Sequence, residues 1–341
     1  MQSLKSNHPQ LSSRAAEILE RAIVCDLCLP WTAENVHARP GFLEDYAAAG
    51  GTFSSLTVSF GNFASLEGAV RHLSRDRRSI LNNREKYVLV DSVDDIERAH
   101  AEGKMALSFN LQGCDPLAGD LAMVETFYLM GVRQMLLCYN AKNLAGDGCH
   151  ERTDSGLSRY GVDLVKEMNR VGMIVDCTHT GYRTTMDMME VSDDPVIFSH
   201  SNAKAVVDHD RNITDDQIKA CARTGGLVGV VGLGPLLGND ASVDSFLRHV
   251  DHILDLVGPE HVGLGFDAVY TPEITYKRFG ENASRYPGYP KPPWEFLLPQ
   301  RVPDVVEGMV QRGYDDETIG KILGGNYLRV ARQVWKPASR G

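Results

Sequence analysis

The sequence contains nothing that would cross a membrane: no apolar run approaches the roughly 20 residues a spanning helix needs. Its opening, MQSLKSNHPQLSSRAAEILERA, also lacks the apolar stretch of a secretory signal. A basic stripe is missing too, and with a formal net charge of -10 the chain offers no surface to a phosphate backbone. The expectation is a cytoplasmic protein that binds neither membrane nor nucleic acid. Cysteine is present, but not as a framework. The seven residues, at 25, 28, 114, 138, 149, 177 and 221, are odd in number and several lie inside apolar runs, which suits reduced thiols. Cys25 and Cys28 form a C-x-x-C within a strand-like run and not at a helix N-terminus, so the spacing carries no redox motif. Internal repeats, low-complexity tracts and linker-like shifts of composition are absent, and one domain over residues 1–341 is expected.

Hydrophobic residues at 43% and charged residues at 23% supply an ordinary large core. Residues 11–21 have a serine to cap them and apolar positions at helical spacing. AIVCDLCLPW (22–31) follows as a first strand stopped by Pro30, and GTFSSLTVSF (51–60) as a second. The next stretch supplies one or two helices, with Asp91 to Gly103 a capped amphipathic one. Strands then alternate with helices, at 104–117, 132–140, 171–177, 195–200, 226–234 and 261–267. Gly131 closes one of the intervening helices and Thr214 or Asp215 caps another. Eight strands alternating with helices predict an α/β fold, the (β/α)8 TIM barrel. The competing open doubly wound sheet would carry GxGxxG in its first βα turn, and this chain does not. Residues 268–300, rich in Pro, Gly and aromatics, are expected to loop over the mouth. Residues 315–341 hold helical segments joined at Gly324 and Gly325, which close the ring or pack a partner subunit as a homodimer.

In such a barrel, residues just past the C-terminal ends of the strands face the active site. VGMIVDCTHTG ends in Asp176 and His179, and DPVIFSHSNA ends in His200. Singly, each histidine serves as well to cap its strand; two at matching positions point to metal binding or acid/base work. The other strand ends contribute Asp26, Cys28, Gln112, Tyr139, Asn140 and Asp267. This mixture of N, S and O donors suits a transition metal such as zinc. Asp176 serves equally as a partner that orients a histidine.

The chain resembles the membrane (renal) dipeptidases of peptidase family M19 and their bacterial relatives, metallopeptidases on an amidohydrolase-like barrel. The resemblance rests on DLCLPW (26–31), FYLMGVRQMLLCYNAKN (127–143), GLSRYGVDLVKEMNRVGMIVDCTH (156–179), VIFSHSNA (196–203), DRNITDDQI (210–218), GLGFD (263–267) and KILGGNYLRV (321–330). It implies paired metals held by an HxD on the first strand, a bridging Glu after the third, one His each after the fifth and sixth, and an Asp after the eighth. His179, His200 and Asp267 fall on the last three positions. Asp26-Leu27-Cys28 stands where the family has HxD, and Gln112 where it has the bridging Glu, which marks a subgroup with altered metal ligands. A neutral amide bridges two cations poorly, so one ion is expected, taken as zinc. Asp267, Cys28 or Asp26 would join the two histidines around it. The resemblance also implies that Arg211 grips a substrate carboxylate; its alternative is a surface ion pair beside Asp208 and Asp210. Tyr139 stands where many members have a His that contacts the reacting carbonyl oxygen, and its phenol retains a hydrogen-bond donor. Asn140 adjoins it as a further substrate contact, and His150 and Glu151 lie in the long polar loop that follows.

The expected function is metal-dependent hydrolysis of a peptide or amide C–N bond in a small carboxylate-bearing substrate. Asp267 would serve as ligand or general base and Tyr139 as donor to the oxyanion. The alternative is a metal-poor, inactive dipeptidase-like barrel that binds a small molecule.

Overall fold

The computed structural model describes residues 11–30, 41–61, 64–269, 273, 276–277, 280 and 289–337. Nine strands lie among them: β1 (Val24–Pro30), β2 (Gly51–Phe60), β3 (Tyr87–Leu89), β4 (Met105–Gln112), β5 (Val132–Leu136), β6 (Ile174–Asp176), β7 (Ile197–Phe198), β8 (Leu227–Val230) and β9 (Val262–Leu264). Every pairing is parallel. β1 pairs with β9 and β2 with β4, so eight strands close into a (β/α)8 barrel. The ninth, β3, lies against the first half of β4, from Tyr87 beside Met105 to Leu89 beside Leu107. This corrects the wholly helical expectation for the stretch before the third predicted strand. The helices there are Leu66–Asn82 and Val93–Ala101, and the short aromatic and β-branched run between them pairs instead.

Barrel strands are covered on both faces, which is why β1, β2 and β4 are buried at nearly every position rather than alternating. Local chemistry fixes the helix starts. Ser92 and Asp95 form a capping box before Val93, and Thr214 and Gln217 form another before Asp215. The regular pairing of the later strands stops at Asp176, Phe198, Val230 and Leu264, short of the predicted ends. Beyond those points the backbone leaves the extended conformation, with His179 at φ 65 and Asp267 at φ 50.

Two apolar layers set the depth of the interior. The helices pack on the barrel's outer face in one large cluster. Inside, Cys25, Phe53, Ala106, Ile174, Ile197 and Leu227 form a floor closed from below by Tyr327, Val330 and Trp335. The C-terminal segments, Asp316–Gly320 and Asn326–Val334, meet through a π-helical turn at Lys321–Gly325 and plug this end of the barrel. Polar side chains are left to the opposite rim. Much of the predicted mouth loop lies outside the described residues. Its described part brings Tyr289 and Trp294, 5.3 Å apart, against the Leu233 and Leu236 cluster at the rim. Among the described residues no helix is long and apolar enough to cross a membrane.

Candidate metal centre

His179 and His200 follow β6 and β7 and turn their rings toward each other, with the two Nε2 atoms 3.0 Å apart. Both residues are buried. What lies on the far side of each ring fixes its tautomer. His179 Nδ1 sits 2.7 Å from the Asn140 carbonyl oxygen Oδ1, an acceptor, and therefore carries the proton. His200 Nδ1 sits 2.7 Å from Ser199 Oγ, whose own proton is donated to the Asp176 carboxylate, so Nδ1–H donates to that oxygen. Asp176 in turn accepts the backbone N–H groups of Thr178 and Ser199, which fixes it in place. Each imidazole is thus an Nδ1–H tautomer with its Nε2 lone pair facing the other. Burial, with the positive charge of Arg211 nearby, holds both rings well below the usual histidine range, so neither carries a second proton to fill the gap. Two lone pairs at this distance repel unless a cation lies between them. Two imidazole nitrogens on one tetrahedral zinc stand roughly 3.3 Å apart, given Zn–N bonds of about 2.0–2.1 Å. The pair therefore fits a metal ion.

The neighbouring donors come from β1, β4 and the end of β9. Cys28 Sγ, a His200 ring nitrogen and an Asp267 carboxylate oxygen lie within 4.8 Å of one another. His179 falls outside this mutually close group and joins it through His200. Asp267 is drawn in by its backbone N–H, which donates to the Cys28 carbonyl at 3.0 Å. Burial lifts its carboxyl to about 7, against the pull of Arg211 and a contact from the Cys28 thiol. Asp26 lies beside the group but outside it, with one oxygen, Oδ1, accepting the backbone N–H groups of Cys28 and Phe266. Its Oδ2 is buried without a partner, and burial lifts this carboxyl to about 8. Gln112 turns its amide nitrogen to Cys28 Sγ at 3.1 Å and to Thr57 Oγ1 at 3.2 Å. In this arrangement it is a donor to the thiol.

Arg211 is buried, with Nη2 3.4 Å from the His200 carbonyl oxygen and Nε without a partner. Burial works against its charge, yet the acidic groups around it, Asp267 among them, raise its pKa overall, and the guanidinium stays protonated. Among the described residues it has no ion pair, so Arg211 is a buried cation and not the alternative surface bridge; Asp208 and Asp210 pair with Lys204 instead. Arg211 and His179 line a cavity of roughly 200 Å³ together with Lys204, Glu151, Tyr182 and Cys149. Tyr139 stacks on His179 with ring centroids 4.1 Å apart. Asn140 is held at φ 61, and its Nδ2 is buried without a partner. His150 likewise has both ring nitrogens unpartnered, and burial beside Arg211 pulls it down to about 4.

The strand-end rule thus brings together His179, His200, Asp267, Cys28, Gln112, Tyr139 and Asn140. It passed over Ser199 and Thr57. Ser199 precedes His200 directly and is the short polar side chain that could have been paired with Asp176 across β6 and β7. Thr57 alternates with apolar neighbours on β2 and gave no signal of its own.

Residues 47–277 match the family model for membrane dipeptidase, peptidase family M19. Dipeptidase tcpJ of Claviceps purpurea is 33% identical over 251 residues, 72% of this chain and 55% of that one. An uncharacterized dipeptidase of Schizosaccharomyces pombe is 32% identical over 270 residues, 76% of this chain and 60% of that one. The chain thus spans little more than half the length of these relatives. Among solved structures, an amidohydrolase from Pseudomonas aeruginosa superimposes with a TM-score of 0.84 at 28% identity, over 94% of this chain and 99% of that one.

Proposed function

The chain belongs to the membrane dipeptidase family, peptidase family M19, and on that premise we propose that it is a hydrolase that cleaves a peptide or amide C–N bond in a small carboxylate-bearing substrate with the help of one zinc ion. The observation that carries this reading is the pair of Nε2 lone pairs facing each other at 3.0 Å, each locked by its own hydrogen bond on the Nδ1 side. A bound divalent ion supplies Lewis acidity, polarising a carbonyl oxygen and making water more acidic. His179 and His200 are its ligands. A second ion lacks support, because Gln112 is neutral where an anionic bridge is needed and its amide is turned to the Cys28 sulfur.

The remaining residues act on the substrate. Arg211, a buried cation with an unpartnered Nε, pairs with the substrate carboxylate. Tyr139, stacked on His179, donates its phenolic proton toward the oxygen that gains charge as the carbonyl is attacked. Asn140 orients His179 and presents Nδ2 to the substrate. Asp267, whose carboxylate accepts from the Cys28 thiol beside the histidine pair, is the acid placed to receive a proton there. The cavity beside Arg211 and His179 is also lined by Glu151, Asp154 and Asp210, so the Arg211 guanidinium and Lys204 are the cations there that a substrate carboxylate would meet.

The test is metal content of the purified chain measured beside turnover of a dipeptide and N-acyl amino acid panel with added zinc. About one equivalent of metal with hydrolysis is the expected result, and His200→Ala should lose tight metal binding while keeping its circular dichroism spectrum. A chain that takes up no metal and turns nothing over, yet binds a carboxylate ligand, would be a binding barrel. Gln112 at the bridge position is the feature that favours this second reading.

A further inference from the structure

Resting on the single-metal reading above, we infer that Cys28 is itself a metal ligand, a thiolate that joins His179 and His200 in a nitrogen–sulfur site, and that Gln112 is the positioning residue for its sulfur. The first support is where this thiol lies. Six cysteines are buried among the described residues, and five of them, Cys25, Cys114, Cys138, Cys177 and Cys221, are packed into the apolar clusters as small hydrophobes. Cys28 lies outside both clusters; Cys114 and Cys138 also touch Asn143 and Cys221 the Val196 and Leu227 carbonyls, but at Cys28 three polar side chains meet one sulfur. The residue is only 1% exposed, yet its sulfur meets polar atoms: Gln112 Nε2 at 3.1 Å, Thr57 Oγ1 at 3.7 Å and Asp267 Oδ1 at 3.7 Å.

The second support is convergence. The sulfur, a ring nitrogen of the fully buried His200 and an Asp267 oxygen form the compact donor group of the site. With a Zn–S bond of about 2.3 Å and a Zn–N bond of about 2.0 Å, donors on a shared ion stand roughly 3.5 Å apart, within reach of that spacing.

The third support is the partner on β4, the strand beyond β2. An amide N–H can hydrogen-bond a sulfur anion, whereas a carboxylate at position 112 would repel it. Cys28 and Gln112 are therefore complementary to one another, and the glutamine has a use that an acid could not fill. Sulfur as a third ligand also leaves Asp267 to receive a proton, and a position open for substrate, as in catalytic zinc sites with three protein ligands. Such a donor set prefers zinc, and softer ions such as cadmium, over magnesium or manganese. Binding the ion requires the Cys28 S–H proton to leave to solvent, so uptake should release protons.

The test is titration of the metal-stripped full chain with cobalt(II), followed by its near-ultraviolet thiolate-to-cobalt charge-transfer band. Uptake of one equivalent with that band, and loss of the band in Cys28→Ser, is the expected result. Cobalt affinity in that variant should fall by more than the roughly 10- to 100-fold that loss of an outer partner costs. Uptake of one equivalent without the band, or with a band that survives in Cys28→Ser, overturns the thiolate assignment and leaves the single-metal reading standing. No uptake at all overturns both. Should Cys28→Ser fail to fold, X-ray absorption at the zinc edge of the wild type decides. The X-ray absorption spectrum of the zinc-loaded chain should show a sulfur neighbour at about 2.3 Å, and a shell of nitrogen and oxygen alone would remove Cys28 from the coordination sphere.

Discussion

The carbonyl oxygen of Ser199 and the α-carbon of Gly265 approach so closely that a β-carbon at position 265 would stand 1.9 Å from that oxygen. Gly229, on β8, crowds the same oxygen, where a β-carbon would stand 2.2 Å away. Backbone meets backbone on two sides of the residue that precedes His200, and this sets the depth of its ring. Neither contact involves the flexible end of a side chain, so nothing can give way cheaply. Gly265→Ala is expected to cost about 3 kcal/mol or more, at the top of the range for overpacking. It should also weaken zinc uptake. Urea denaturation of the metal-free chain reads the first effect and a chelator competition the second; an unchanged midpoint would show that the rim adjusts more freely than the geometry implies.

Ser199 also passes the charge of Asp176 to His200. Without its hydroxyl, the Nδ1–H of His200 has no acceptor and the ring is free to take the other tautomer, which would put a proton on the nitrogen facing His179. Ser199→Ala should therefore lower zinc affinity by about 10- to 100-fold with little change in fold. Isothermal titration against a zinc chelator measures it. Wild-type affinity in the variant would mean that the ring is held by its packing alone.

The barrel was legible because its signals are periodic and repeated: apolar runs that end in polar residues, separated by helices with their own caps. β3 escaped because Tyr87–Leu89 is three residues long and lies between two strong helices. The site was legible at the level of which residues arrive at the rim, since His179, His200 and Asp267 each close a strand. What they do on arrival was not. The direction of Gln112 and the relay through Ser199 depend on side chains contributed by different strands, and their spacing in the sequence does not encode that. The left-handed backbone at Asn140, His179 and Asp267 was equally hidden, although a histidine at φ 65 is uncommon and here aims a ring at the site.

His249 links the loop after His200 to acid stability. It is fully buried, and its Nδ1 accepts the backbone N–H of Ala203 at 3.2 Å. Burial, with Arg248 and His252 nearby, pulls it from 6.5 down to about 4. Between those values the unfolded chain takes up a proton that the folded chain refuses. The contribution of this residue is therefore complete above about pH 6.5, shrinks as pH falls, and reaches its limit near pH 4, a loss of roughly 3 kcal/mol. His249→Asn keeps an acceptor for Ala203 without the titration. Urea midpoints of the metal-free chain at about pH 7 and about pH 5 should draw closer together in the variant than in the wild type. Equal shifts in both would locate the acid sensitivity elsewhere.

Arg211 bears on which substrates the site accepts. A buried guanidinium with an unpartnered Nε and no carboxylate pair among the described residues has a standing demand for an anion, and the adjoining cavity is where a ligand could bring one. A substrate carboxylate meets that demand before the reaction and through it, so the interaction is uniform and should appear in KM rather than kcat. Arg211→Ala should lower kcat/KM by about 100-fold for carboxylate substrates, the scale of a charge-assisted bidentate pair, and by only a few-fold for the same substrates amidated at that carboxyl. Arg211→Lys should recover part of the loss, because an ammonium keeps the charge but not the fork. Removing the guanidinium also relieves one of the charges that depress His179 and His200, so some change common to both substrates is expected. The diagnostic quantity is the ratio between the two substrates. If acid and amide suffer alike, Arg211 acts through the histidines and not on the carboxylate.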